Sequence, residues 1–261
     1  MASASFSYVQ ARMQARHGAR LRDDEWQALE AARSFEQYLE RSRGGGVARF
    51  SERVGVGDDA HTVEARLREA WRAHVGEVAG WAPGPWQPAV RWCAFLPDLP
   101  TLAHLIDGGP TLPWMALDPV FKALAAVAPS ERQGQLGQFN IESLVASPAS
   151  LPRRNIHAAW LENWRSLWPA CSNRERARLE RLIMVVGHAF EGMAEAETVA
   201  VSDHLRRRLA QRIVSLFRSA SGGPAAMFHH LALVALDIER LRGGLLRRRL
   251  LGPGMAEVAW R

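Results

Sequence analysis

Apolar residues along this chain recur at steps of three and four, strict alternation is absent, and β-branched residues rarely cluster. That is the period of a helix that buries one face, so the pattern predicts an all-α helical bundle. The first helix is expected over residues 6–20, with Tyr8, Ala11, Ala15 and Ala19 on one face, mostly small enough for another helix to approach closely. Asp23 stands where an N-cap would start the next helix, followed by acidic side chains that suit the positive end of the helix dipole. Ser34 with Gln37 three residues later reads as a capping box for a third helix, which Gly44 to Gly46 end. A longer amphipathic segment follows, capped by Thr62, with Val63, Leu67, Ala70 and His74 along one stripe.

Pro83, Pro85 and Pro88 then break the pattern, because proline removes a backbone donor and biases the residue before it away from the helical region. Residues 91–115 read as short apolar pieces whose prolines start helices or make tight turns. A short helix is expected over 118–127. Residues 130–155, rich in Gly, Gln, Ser and Pro, are the candidate internal linker. Beyond it come a tryptophan-bearing helix, a helix opened by a Ser172/Glu175 capping box, a helix capped by Ser202 and stopped by Gly222 and Gly223, and a final helix from Pro224. The expected organisation is an N-terminal helical part, 1–146, and a basic C-terminal helical part, 147–261, or one continuous elongated domain.

Composition adds location and charge. At 261 residues and 48% hydrophobic, the chain can bury a sizeable core. No run approaches the roughly 18 apolar residues that span a bilayer, and the first residues lack the apolar block of a secretory signal, so a cytoplasmic place is expected. Cys93 and Cys171 have no close cysteine neighbour and read as reduced thiols. The net charge of +6 sits entirely in the last third: residues 1–173 carry 18 basic and 18 acidic side chains, residues 174–261 carry 15 and 9. That end should favour an acidic partner; the plainer reading is a solvated helical surface, because the arginines alternate with Glu and Asp.

Candidate chemistry is sparse. Trp160, Trp164 and Trp168 lie at four-residue steps along one helical stripe, which is either an interhelix seam or a partner-binding face. The triplets Arg206, Arg207, Arg208 and Arg247, Arg248, Arg249 could bind a partner. Three successive helical residues spread over more than half the circumference, however, so one arginine of each triplet must approach the apolar face or pair with a carboxylate. Nucleic acid is therefore not the expected partner. His229 and His230 point about 100° apart on a helix and do not converge on one ion. His230 and Asp237 are two turns apart, roughly 10 Å by helical rise. Neither a metal-binding nor a nucleophile motif is readable, and the expectation is no catalytic residue, no metal and no cofactor.

The two ends of the chain together resemble one family: the C-subunit of archaeal and bacterial V/A-type rotary ATPases and its equivalent, the d-subunit of eukaryotic V-ATPases. At the start, "YVQARMQARHGARLRDDEWQAL" is similar to that family's opening helix at Tyr8, Ala11, Arg12, Arg16 and Leu21. Near the end, "PAAMFHHLALVALDIERLRGGLLRRRL" is similar to its closing helix at Phe228, Asp237, Ile238, Leu241 and Arg242. The middle has no match. The resemblance implies a short, divergent member with a funnel-like fold of pseudo-repeated helical lobes, and no chemistry of its own. Such a protein links the central-stalk subunits to the membrane rotor ring, on the cytoplasmic face and peripheral to the membrane through its partners. A helical adaptor for another protein is the alternative. On either reading Phe228, Leu231, Ala235, Ile238, Leu241 and Leu245 form a buried stripe, and Asp237 pairs with Arg240 or Arg242. His229 and His230 are then surface or interface residues, so His230→Ala should cost little.

Overall fold

The computed structural model describes residues 2–128, 131–132, 156–220 and 222–255. It is all-α, with no strand among the described residues. No helix among them is long and apolar enough to cross a membrane. The candidate linker lies outside the described residues apart from Glu131 and Arg132, as does the boundary between the two expected parts.

The chain opens with α1 (Ala2–Gly18), α2 (Asp23–Glu30), α3 (Phe35–Arg43) and a single turn, α4 (Ala48–Ser51). The face of α1 that packs inward is Phe6, Val9 and Met13, whereas Tyr8, Ala11, Ala15 and Ala19 point to solvent, opposite to the expectation. The larger apolar side chains, not the small ones, decide which face is covered, since burial free energy scales with apolar area. Asp23 is the first helical residue and not the cap: the N–H of Arg22 donates to Glu25 Oε2 at 2.8 Å. Ser34 caps α3 as expected, accepting from the Gln37 N–H at 3.2 Å.

Helix α5 (Ala60–Trp81) starts earlier than expected. Its cap is Asp59, whose carboxylate accepts from the Thr62 N–H at 2.7 Å. Its buried stripe, Val63, Leu67, Trp71, His74, Val75, Val78 and Ala79, contains Val63, Leu67 and His74 of the expected one. The proline-rich stretch that follows is a chain of short pieces: α6 (Gln87–Trp92), α7 (Leu99–Ile106) and α8 (Pro119–Ala125), joined by 3₁₀ turns at Gly84–Trp86, Cys93–Asp98 and Pro113–Leu117. Pro85, Pro88, Pro100, Pro113 and Pro119 each sit in the first turn of a piece, where the missing N–H would have had no helical partner.

The rest comprises α9 (Ile156–Ser166), α10 (Asn173–Ala194), α11 (Val199–Ser219) and α12 (Pro224–Met255). Ser172 and Glu175 form the expected reciprocal box at the start of α10. Helix α11 is capped by Thr198 and not by Ser202, which lies in its first turn. At 32 residues, α12 is about 48 Å long by helical rise. It packs against α1, α3, α5, α10 and α11, so it forms the axis of the molecule. One apolar cluster runs from Phe6 through Tyr38, Val75 and Trp164 to Leu245, drawing on both expected parts of the chain.

Two adjacent glycines of α12 show how closely it is gripped. A Cβ on Gly243 would meet nothing within 4 Å, while one on Gly244 would overlap the ring and hydroxyl of Tyr38, which is fully buried and cannot swing away. In an unhindered helix interior, Gly→Ala stabilises by about 1 kcal/mol. Gly243→Ala should therefore raise stability by up to about 1 kcal/mol, and Gly244→Ala should lower it by about 1–3 kcal/mol through overpacking. Urea unfolding followed by circular dichroism checks both; equal shifts for the pair would contradict the packing of α3 on α12.

Candidate functional site

Helices α1, α5 and α12 meet at a line of polar side chains that runs from the apolar cluster, where Asp237, His74 and His230 are buried, out to the partly exposed Arg16 and Glu77. Asp237 of α12 is buried and accepts two hydrogen bonds from Arg20, just beyond the end of α1: Nε to Oδ2 at 2.6 Å and Nη2 to Oδ1 at 2.8 Å. The pairing with Arg240 or Arg242 expected from spacing is not made. Arg240 reaches Glu30 at 2.6 Å and Arg242 reaches Glu64 at 2.7 Å. Bidentate geometry is the strongest form of this ion pair, and at a buried site an intrahelical neighbour cannot match it without giving up its own carboxylate.

Beside this pair, Glu77 of α5 accepts from Arg16 Nη2 at 2.7 Å and from Arg49 Nη2 at 2.6 Å. Arg49 Nη1 lies 3.0 Å from His74 Nδ1. A guanidinium only donates, so His74 Nδ1 accepts and the ring is neutral with its proton on Nε2. The His74 ring stands edge-on to His230 at 5.3 Å. His229 and His230, expected at the surface, are each only 1% exposed. Both pack in the core because the first half of α12 is covered on nearly every side. His230→Ala would thus open a cavity, contrary to the small cost expected of a surface residue. Burial, reinforced by neighbouring arginines, lowers the pKa of His74 to about 3 and that of His229 to about 4, and holds His230 well below its usual value.

The remaining candidates fall into three groups. Trp160, Trp164 and Trp168 are buried, so the ladder is a core seam and not a free partner face. Trp160 stacks between Trp92 and Trp164, and Trp164 meets Trp168 and Phe228 edge-on at 5.0 and 4.8 Å. Arg248 is buried as well: it donates to the carbonyls of Glu30, Ala32 and Gly244 and lies 4.3 Å from the centre of the Tyr38 ring. Arg249 lies over Phe35, and Arg247 is half-buried, so this triplet ties α12 to α2 and α3 and is not a partner patch. Arg206, Arg207 and Arg208 do face solvent, with Arg206 donating to Asp203 at 2.9 Å. Of the opening motif, Tyr8 and Arg12 are exposed together with Ala11, and Arg12 donates to the Tyr8 hydroxyl at 3.0 Å. Leu21 is half-buried against the core, while Phe228, Ile238 and Leu241 lie inside it.

Neither the chain's sequence nor its fold matches a family model, a curated protein or a solved structure.

One buried cluster has no counterpart among the residues that spacing singles out. Arg72 of α5 lies between Asp98 and Asp118, at 2.9 and 3.3 Å, and both carboxylates are buried. The available signal is Asp98 within the apolar run "FLPDLPTL", where a charge needs a partner to be buried. No group of three or more His, Cys, Asp or Glu that could hold a metal ion occurs among the described residues.

Two outcomes follow. Asp237→Leu leaves Arg20 without its partner in a largely buried place and should cost about 3–5 kcal/mol, while the double variant Arg20→Met/Asp237→Leu should recover much of it. Urea unfolding of the single and double variants decides this, and simple additivity would count against the pair. The second concerns pH. The histidines bind protons near 6.5 in the unfolded chain but resist them in the fold, so stability is complete above about pH 6.5 and is lost as pH falls below it, by up to about 1.4 kcal/mol per pH unit for each imidazole. Asp98, raised to about 6 because burial outweighs Arg72, and Asp237, raised by burial against the pull of Arg20, act oppositely and soften the loss. The urea midpoint should fall from pH 7 to pH 5, with a shallower fall for His230→Leu; an unchanged slope in that variant would mean that His230 takes up its proton in the native state.

Proposed function

We propose that this chain is a non-catalytic helical linker of the V/A-type rotary ATPase class, a divergent relative of the C-subunit, joining central-stalk subunits to the membrane rotor ring so that ATP turnover is coupled to ion movement. The observation that supports this most is the convergence of the two resembling segments. More than 200 residues apart in sequence, they lie side by side in the fold, where Arg20, next to the matched Leu21, grips the matched Asp237. The matched Ile238 and Leu241 fill the core beneath, and the matched Arg16 and Arg242 are each held by a carboxylate of α5, Glu77 and Glu64. Part of each terminal pattern thus meets the other in the fold, while Tyr8, Ala11 and Arg12 of the opening one face solvent. On this reading the protein works on the cytoplasmic face, peripheral to the membrane through its partners, and the arginine-rich interior serves stiffness.

A second reading, a helical adaptor for a different protein, draws on the outer hairpin. Met184 and Phe190 of α10 and Val201 of α11 are 57%, 60% and 48% exposed, close in sequence to the exposed arginines of α11. Aromatic and Met side chains beside arginine are what protein interfaces concentrate.

Tagging the protein in its native cell, solubilising the membranes gently and identifying what co-purifies separates the two. Recovery of stalk and rotor-ring subunits, lost on Phe190→Glu or Arg207→Glu, supports the linker with this hairpin as its contact. Reproducible recovery of an unrelated protein without them overturns the linker and leaves the adaptor.

A further inference from the structure

The N-terminal half of α10, the end of α11 and the first turns of α12 line a half-open pocket of about 270 Å³, bordered by Arg174, Arg178, Arg181, Leu216, Ser219 and His229. Arg174, Arg178 and Arg181 are spaced by four and three residues, so they share one face of α10. That arrangement is unfavourable on its own. Like charges at this spacing repel, and Arg174 stands in the first turn, where the helix dipole disfavours a cation. Yet none of the three has a carboxylate within ion-pair distance among the described residues. Glu175, the nearest acid in sequence, is engaged by Ser172, and Arg178 donates to the Ser219 carbonyl at 2.9 Å. His229 is buried, and neither of its ring nitrogens has a hydrogen-bond partner. A buried polar group without a partner is costly, and here it borders the same cavity as three guanidiniums.

We propose that this cavity is a binding site for a phosphate dianion, either inorganic phosphate or the head of a phosphate monoester. Paired guanidiniums match phosphate oxygens in charge and geometry, and His229 forms part of the wall with its ring nitrogens covered. The volume falls below the 300–1,000 Å³ common for drug-sized ligands, which suits a phosphate group. The ester could arrive as a soluble metabolite or as a lipid head, and the two sources separate experimentally.

The full-length protein is titrated by calorimetry with inorganic phosphate and with glycerol 3-phosphate, and by sedimentation with phosphatidylcholine vesicles with and without phosphatidic acid. Arg174→Gln and Arg181→Gln are the test variants, since both side chains are exposed and neither is part of the core. Each should weaken binding about tenfold, the weight of one charge-assisted hydrogen bond. Saturable binding of the soluble anions, weakened in both variants, supports a soluble ligand. Binding confined to phosphatidic acid vesicles, and weakened likewise, supports a lipid head. Absence of binding in all arms, or binding that both variants leave unchanged, overturns the site.

Discussion

A long helix surrounded by other helices has no solvent face on which to place its polar residues, and α12 is in that position over its first half. From Pro224 to Leu231 every side chain is buried, and two of them are imidazoles; one turn and a half later comes a carboxylate. Each of these groups has to be neutral or matched by something another helix brings. Asp237 is matched by Arg20 at the end of α1. His230 is kept neutral and packed against His74, which in turn hydrogen-bonds Arg49. Arg49 and Arg16 share Glu77, so two polar sets hold these helices: Arg20–Asp237 ties α1 to α12, and Arg16–Glu77–Arg49–His74 ties α1, α4 and α5 together and meets α12 through the His74–His230 ring contact. An apolar interface alone would let these helices slide by a turn at modest cost, whereas a bidentate ion pair inside the core admits one register.

The charge balance takes on a different meaning in this light. The last third of the sequence is strongly basic, which suggests a surface for an acidic partner, but much of that charge points inward or along seams. Arg240, Arg242 and Arg248 reach α2 and α5, and Arg248 and Arg249 lie over the aromatic rings of α3. Arginine suits this use because its planar head stacks on rings while its donors reach carbonyls. What remains open to solvent is concentrated on α10 and α11, in Arg174, Arg176, Arg181, Arg206 to Arg208, Arg212 and Arg218.

Much of this is legible in the sequence, and the differences share a cause. The helix class, the cap at Ser34, the box at Ser172, the proline starts and the stripe of α12 are local properties, set by dihedral preference and by period. The starts of α5 and α11 differ from expectation because the first apolar residue of a stripe need not mark the first turn. In both helices the cap lies earlier, at Asp59 and Thr198, before residues that add nothing to the stripe. Coverage is not local. Period alone shows that Trp160, Trp164 and Trp168 share a face, but whether that face is bare depends on Trp92 and Phe228, which are distant in sequence. The partner of Asp237 is hidden for the same reason: spacing favours neighbours on one helix, and the actual donor comes from the opposite end of the chain.

The division between a tightly matched interior and an unneutralised hairpin bears on how the molecule can act. Where α12 meets α1, α3 and α5, the charged groups of the network are paired within the chain, so that region has little left to offer a ligand without breaking its own contacts. The α10–α11 hairpin differs. It packs on α12 and buries Leu179, Leu182, Leu209, Ile213 and Phe217, while Met184, Phe190, Val201 and several guanidiniums are exposed. A contact there would need no rearrangement of the core, and its load would pass along the hairpin into α12. Asp237 and Arg242 of α12 are held by Arg20 and by Glu64 of α5, so α12 connects the hairpin to the end of α1 and to α5. On the proposed linker reading, this connection is the path along which load would pass from one partner to the other.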